Sequence, residues 1–286
     1  MSNKDSRWIG RAADRLARWL HPWVPDHPGL RRRLRRLRYW LPTAESTSDT
    51  SSFMATFGRA YPDAQFIQVG ANDGALHDPL RRELVRRNWR GIMIEPVPYV
   101  FERLQQNYRA YTRIALENVA IAASEGEQPF YHLAPAKDRA AEGLPIWYAA
   151  LGSFHKDVIL SHRDLIPNID ERLVTRMVPC TTFSALCAKH AIKHVDLIQI
   201  DTEGHDYEVI KLIDFASLQP RVVFYEHQHL SPADRGACRE HLAARGFECI
   251  ERHYDTLALR VTDTQPRDAE LMKLWATLRN ADRQTN

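Results

Sequence analysis

Two short stretches in the second half of the chain concentrate side chains suited to proton transfer. "VDLIQIDTEGHDYE" sets Asp201, Glu203, His205 and Asp206 directly after an apolar run, and "VVFYEHQHL" sets Glu226, His227 and His229 after another. A neutral imidazole accepts a proton near pH 7, and a carboxylate beside it fixes its tautomer. His205 and His227 are therefore the candidate bases, with Asp201 or Glu203 as the orienting acid, while His229 falls in the following loop. The run Asp201-Thr202-Glu203 ahead of a helix also fits plain helix capping. Asp201, Glu203, Glu226 and His227 form an oxygen-rich set of the kind that holds Mg2+, although their spacing matches no metal motif.

A third stretch, "FIQVGANDG" (66–74), runs from a buried strand into a turn of glycine, asparagine and aspartate. Gly70 permits a tight turn, Gly74 a close backbone approach, and Asn72 tolerates positive φ. The turn matches neither G-x-G-x-x-G nor the P-loop. Glu95 ends the next strand about 21 positions beyond Gly74, where a carboxylate accepts both hydroxyls of a ribose, and Pro96 fixes the chain leaving it. A dinucleotide and an S-adenosyl cofactor both need these parts. Asp73 in the turn and Asp78 before the helix would repel pyrophosphate and attract a sulfonium and an ammonium, which favours the cationic adenosyl ligand. Asn118 and Ala120, in a third strand region, complete the candidate cofactor set together with Asp201.

These residues need a frame that brings strand ends together. From Gln65 on, strand-like and helix-like segments alternate. Strands are expected at 65–70, 91–96, 113–123, 195–201 and 221–227, with helices at 78–88, 99–109, 206–213 and 232–246. "FSALCAKHA" reads as a further helix, "QPFYHLAP" (128–135) as a hairpin extension of the third strand, and 136–182 as irregular. "FECIERH" and "TLALRV" read as a terminal antiparallel hairpin. This alternation predicts a doubly wound α/β fold with a mostly parallel sheet and helices on both faces. Ligands of such sheets bind outside the carboxyl ends of the strands, where the candidate residues fall.

Three blocks, "FIQVGANDG", "GIMIEPVPYVFERLQQNY" and "VPCTTFSALC…VDLIQIDTEGHDYEVIK", resemble the FkbM-type S-adenosylmethionine-dependent methyltransferases. The block "IDTEGHD" is the most specific of them. The resemblance spans residues 60 to 262 and implies a class I methyltransferase fold, S-adenosyl-L-methionine as cofactor and O-methylation of a sugar, glycan, glycolipid or hydroxylated natural product. "LGSFHKD" (151–157) resembles the family's serine-containing loop, which brings Ser153 and His155 toward cofactor or acceptor. Many class I methyltransferases carry an acid where Gln68 stands and a third glycine where Asn72 stands. Gln68 can still hydrogen-bond the amino-acid end of the cofactor, without charge.

Ahead of this region lies a basic head. Residues 1–40 carry eleven Lys/Arg against three Asp, net +8, which leaves −5 on the other 246 residues of a chain with formal net charge +3. Segments 5–24 and 30–41 place Trp and Leu on one helical face and arginines on another, and "TAESTSDTSS" (43–52) reads as a linker. The expected division is a basic helical extension at 1–52 and a methyltransferase domain at 53–286. Through residues 5–41 the head suits an anionic membrane surface or a polyanion, or its apolar face packs on the body or on a second copy of the chain.

No stretch approaches the ~20 apolar residues of a membrane span, and the four cysteines show no paired or zinc-type spacing. The expected location is the cytoplasm, with a seat on the inner membrane face. Trp147 and Tyr148 have the chemistry to stack on a sugar ring, although a buried aromatic pair explains them equally. Two other functions share parts of the pattern. A nicotinamide-dependent oxidoreductase is disfavoured by the carboxylates in the turn, and a nucleic-acid-binding protein by the acidic body and the lack of any accompanying motif.

Overall fold

The computed structural model describes residues 49–285; the basic segments 5–24 and 30–41 and the start of the expected linker lie outside them. Residues 49–52 are not linker. They begin helix α1 (Asp49–Ala60), whose Phe53 packs edge-on against Trp275 at 5.7 Å between ring centroids.

The main sheet has seven strands. β1 (Gln65–Val69), β2 (Arg90–Ile94) and β3 (Ile114–Glu117) form one wing, with α2 (Arg81–Arg86) and α3 (Pro98–Tyr108) between them. The other wing holds β8 (Leu197–Ile200), β9 (Val222–Glu226), β10 (Phe247–Arg252) and β11 (Asp255–Arg260). The order is β10-β11-β9-β8-β1-β2-β3; β11 runs antiparallel to both its neighbours and all other pairs are parallel. β1 and β8 are neighbours although well over a hundred residues separate them, so the strand order reverses between them. That reversal opens the crevice in which doubly wound sheets bind ligands.

The central strands are buried on both faces because helices cover both, and they are apolar except at Gln68 and Gln199. In β1, Phe66 joins a core with Phe57, Trp89 and Trp275, while Ile67 and Val69 join another with Ile198, Ile200 and Tyr225. The latter face is closed by α6 (Phe183–Lys189), α7 (Asp206–Lys211), α8 (Phe215–Leu218) and α9 (Pro232–Ala243), the former by α1 and the C-terminal α10 (Ala269–Thr285).

The expected third strand region divides. After β3 the chain turns at Asn118–Val119, and β4 (Ala120–Ile121) joins a separate four-stranded sheet of order β4-β7-β5-β6. β5 (Gly126–Leu133) pairs antiparallel with β7 (Leu173–Thr181) over eight residues, and β6 (Gly152–Ser153) pairs with the end of β5. "QPFYHLAP" is thus no hairpin extension of the third strand, and 136–182 is not wholly irregular: it contains β6, β7 and the short helices α4 (Lys156–Leu160) and α5 (Ile169–Arg172). β7 escapes sequence reading because only Val178 and Cys180 of it are buried, and Pro179 argues against a strand.

All four cysteines are free, and no described helix is long and apolar enough to cross a membrane. α10 is integral to the core, since Trp275 is 1% exposed and its Nε1 donates to Glu248 at 2.8 Å. Trp275→Ala should therefore cost about 3–5 kcal/mol of unfolding free energy, measured by urea denaturation of the whole chain. A loss below about 1 kcal/mol would mean that α10 is peripheral.

Candidate active site

The crevice at the carboxyl ends of β1, β2 and β8 encloses about 590 Å³ of empty volume, part of it open to solvent. Its floor is Gly70, Asn72 and Glu95, its far side Asp201 to Glu203 and His205, and its roof comes from the second sheet and its loop, including Val119, Phe130 and Phe154. Apolar walls below a carboxylate-lined mouth suit a flat heterocycle carrying a hydroxylated, cationic extension.

The floor depends on Gly70, at φ +77°. A Cβ there would overlap the main-chain carbonyl of Asp201, so only glycine lets the tips of β1 and β8 touch. Asp201 N in turn donates to Val69 O at 2.9 Å. Glu95 is 6% exposed, and its two oxygens accept from Asn72 N at 3.0 Å and Val97 N at 2.8 Å. The carboxylate thereby holds the glycine turn in place while facing the crevice. Each oxygen keeps one lone pair for a ligand hydroxyl. Asn118 donates to the carbonyls of Glu95 and Pro96 and so clamps the exit of β2, while Pro96 and Ala120 line the crevice.

Several expected contacts fall elsewhere. Gln68 is buried and donates to Asp78, so the structure does not bring it to the crevice. Asp73 accepts from Ala75 N and Leu76 N, and Asp78 from Leu80 N and Arg81 N. Both acids cap backbone turns and do not line the crevice. Gly74 is required by packing, since a Cβ would meet Tyr108 and Leu104. Ser153 is sealed from solvent: its hydroxyl donates to Glu203 O at 2.7 Å and accepts from His155 N at 2.9 Å. It pins the roof to the loop after β8.

The negative charge of the site comes from the strand tips. Asp201 is open to the crevice yet ringed by protein. That enclosure, then the charges of Glu203, Asp206, Asp255 and Glu95, raise its carboxyl well above the usual range. Glu226 is pushed up strongly by burial and then by Asp201 and Glu203. Asp206 is fully buried at the start of α7, within reach of Thr202 N and Gly204 N at 3.4 and 3.3 Å, and burial raises it to about 7.

The histidines divide in an unexpected way. His205 lines the crevice against Phe154, ring centroids 4.8 Å apart. Burial and then His155 lower its pKa to about 4, and its Nδ1 is sealed without a partner. His227, expected as a base, is 3% exposed and its Nδ1 pairs with Thr256 Oγ1 at 2.8 Å; it does not line the crevice. His229, left to a loop in the sequence, has its Nε2 3.1 Å from Glu203 Oε2. Strand alternation explains the exchange: Glu226 ends β9, and the next residue turns inward. The signal available beforehand was the spacing of Glu226 and His229, three apart across a turn. Glu203, Glu226 and His229 can each offer one ligand atom, all within 4.8 Å of one another, which replaces the expected set containing Asp201 and His227. Trp147 lies against His162, and Tyr148 is buried with its hydroxyl on Ala134 O, so only Trp147 stays partly accessible.

The methyltransferase FkbM domain matches residues 68–249, well over half of the chain. The chain belongs to the FkbM methyltransferase family. The match spans the crevice and both acidic strand tips of this FkbM domain. No curated protein matches the sequence. Among solved structures, the FkbM chain is similar to methyltransferase FkbM from Methylobacillus flagellatus KT, at 13% identity and TM-score 0.45, over 69% of this chain and 44% of that one. It therefore spans less than half the length of that protein. It is also similar to precorrin-6y C5,15-methyltransferase from Geobacter metallireducens GS-15 (11% identity, TM-score 0.38, 73% and 87% of the two chains). A third is ribosomal protein L11 methylase from Lactobacillus delbrueckii subsp. bulgaricus (11%, TM-score 0.36, 73% and 76%).

Burial raises Glu95 from 4.5 to about 7. The native state then holds the proton more tightly than the unfolded chain between these values. Its contribution to stability is full below pH 4.5 and is lost as pH rises through about 7. Glu95→Gln should flatten that part of the stability–pH profile, measured by urea unfolding at pH 4.5 to 8. An unchanged slope would show that Glu95 does not titrate in this window.

Proposed function

We propose that this FkbM-family chain transfers the methyl group of S-adenosyl-L-methionine to a hydroxyl of a sugar-containing or other small hydroxylated acceptor. The observation that carries this reading is the carboxylate-lined crevice at the β1/β8 reversal, whose acceptors suit a ribose diol and a cationic tail. Glu95 would accept from the ribose hydroxyls. Asp201 and Glu203 would face the positive end, and the walls of Ile94, Val119 and Phe130 would take the adenine. When bound, the cofactor supplies an electrophilic methyl group on a sulfonium.

An alcohol acceptor must lose its proton during the displacement. The Glu203–His229 pair is the candidate base: Glu203 lines the crevice and has Oε2 3.1 Å from Nε2 of His229, which stands behind it, so the pair would take up the hydroxyl proton. His205, held neutral, lines the path of the acceptor. Mg2+ at Glu203, Glu226 and His229 is the alternative way to acidify the hydroxyl, since these three offer the only such ligand set among the described residues. The basic segment 5–41 would seat the enzyme on an anionic membrane surface and so bring it to a glycolipid acceptor.

Calorimetry of the full chain should show binding of S-adenosylmethionine, weakened roughly tenfold or more by Glu95→Ala and by Asp201→Asn. Binding equal to wild type in both variants would refute the site. His229→Gln should leave cofactor affinity intact and lower kcat roughly 100-fold or more. Turnover that survives exhaustive chelation would eliminate the Mg2+ route and leave the histidine one.

A further inference from the structure

At the opposite end of the main sheet, where the parallel strands begin, lies a second cavity that encloses about 590 Å³ of empty volume, partly open to solvent. Tyr61 precedes β1, Asp196 precedes β8, Arg221 precedes β9, and Arg260 ends β11; Asp263 and Arg267 approach from the connection to α10.

Three guanidinium groups meet here, and their donors outnumber the acceptors. Arg221 is 7% exposed. Its Nη1 donates to Thr262 O at 2.8 Å and its Nη2 to Asp268 at 2.7 Å, but its Nε is sealed from solvent with no acceptor. Arg260 lies beside it, its main-chain N on Arg221 O at 3.0 Å, and its Nε is likewise sealed and unpartnered. Burial holds the Arg260 guanidinium below the ordinary arginine range; Asp263 pulls the other way and Arg221 adds to the burial effect. Arg267 lies over the Tyr61 ring, 4.2 Å from its centroid.

Two of the neighbouring carboxylates, Asp268 and Asp196, are already committed. Asp268 accepts from Tyr61 Oη at 2.7 Å, from Arg221 and from Gln265 N at 2.8 Å. Asp196 accepts from Gln65 N at 2.8 Å and faces His194 Nε2 at 3.1 Å. Asp263, exposed at the rim, is the one lining carboxylate without such a bond among the described residues. Three guanidinium groups lining one space, at Arg221, Arg260 and Arg267, match the oxygens of a phosphate bidentately.

We infer that this cavity binds the phosphate group of a small molecule, with Arg260 and Arg267 as its contacts and Arg221 as a fixed wall. It lies at the other end of the strands from the methyl-transfer crevice and does not depend on that assignment.

The test is calorimetric titration of the full chain with inorganic phosphate, against chloride at matched ionic strength. Saturable binding is expected, weakened roughly tenfold or more by Arg260→Gln and by Arg267→Gln. Arg267 is exposed and gives up only its contact with the Tyr61 ring, so its variant should shift the melting temperature slightly and report chiefly on binding. Absence of saturable phosphate binding would overturn the inference. So would binding that both variants retain, as it would if the arginines of residues 1–40 carried it.

Discussion

The contact of Gly70 with the main chain of Asp201 is the constraint on which the site rests. β1 and β8 meet at the reversal of strand order, and their tips touch because Gly70 has no side chain. Any larger residue would push the Asp201 carbonyl away, and with it the whole loop that carries Glu203 and His205. The turn after Gly70 is then fixed from the other side by Glu95, whose oxygens take the main-chain N–H groups of Asn72 and Val97. One residue's lack of a Cβ and one buried carboxylate thus set the distance between the two halves of the crevice.

That geometry gathers like charges. Burial first, and then the charges of Glu203, Asp206 and Asp255, raise the carboxyls of Asp201 and Glu226. Burying carboxylates together is unfavourable unless protons or a cation offset them. The cost is held in place by rigid attachments: Ser153 ties the roof to Glu203, and Asp206 closes the loop by facing Thr202 and Gly204. A site built this way is prepared for a positively charged ligand. It would also release protons when one binds, because the ligand favours the ionised form of each acid it faces.

The second sheet gives this frame its particular shape. β5 and β7 form a ribbon that stands apart from the main sheet, yet the end of β5, β6 and the loop before α4 bring Phe130, Gly152 and Phe154 over the crevice. Phe130 and Phe154 meet edge-on at 5.1 Å, and Phe154 reaches on to His205. A roof made of aromatic edges gives the crevice an apolar cover above its carboxylates.

Alternating apolar runs and amphipathic helices determined the main sheet from the sequence by itself, because strands buried on both faces must be continuously apolar and their covering helices must not be. The glycine turn, Glu95 and the "IDTEGHD" block were legible for a related reason: strand ends in such a sheet fall at one edge, so their position along the chain already implies a shared site. The partner of each polar side chain was decided only by the tertiary structure. Asp73, Asp78 and Gln68 turned toward local backbone and one another, His227 turned inward to Thr256, and His229 came to Glu203 from a loop. The exposed ribbon of β5 and β7 was equally hidden, since a strand with few buried residues leaves little apolar pattern to read. Periodicity records which face a residue shows to the core, whereas the meeting of residues 203 and 229 depends on how two strand ends are set side by side.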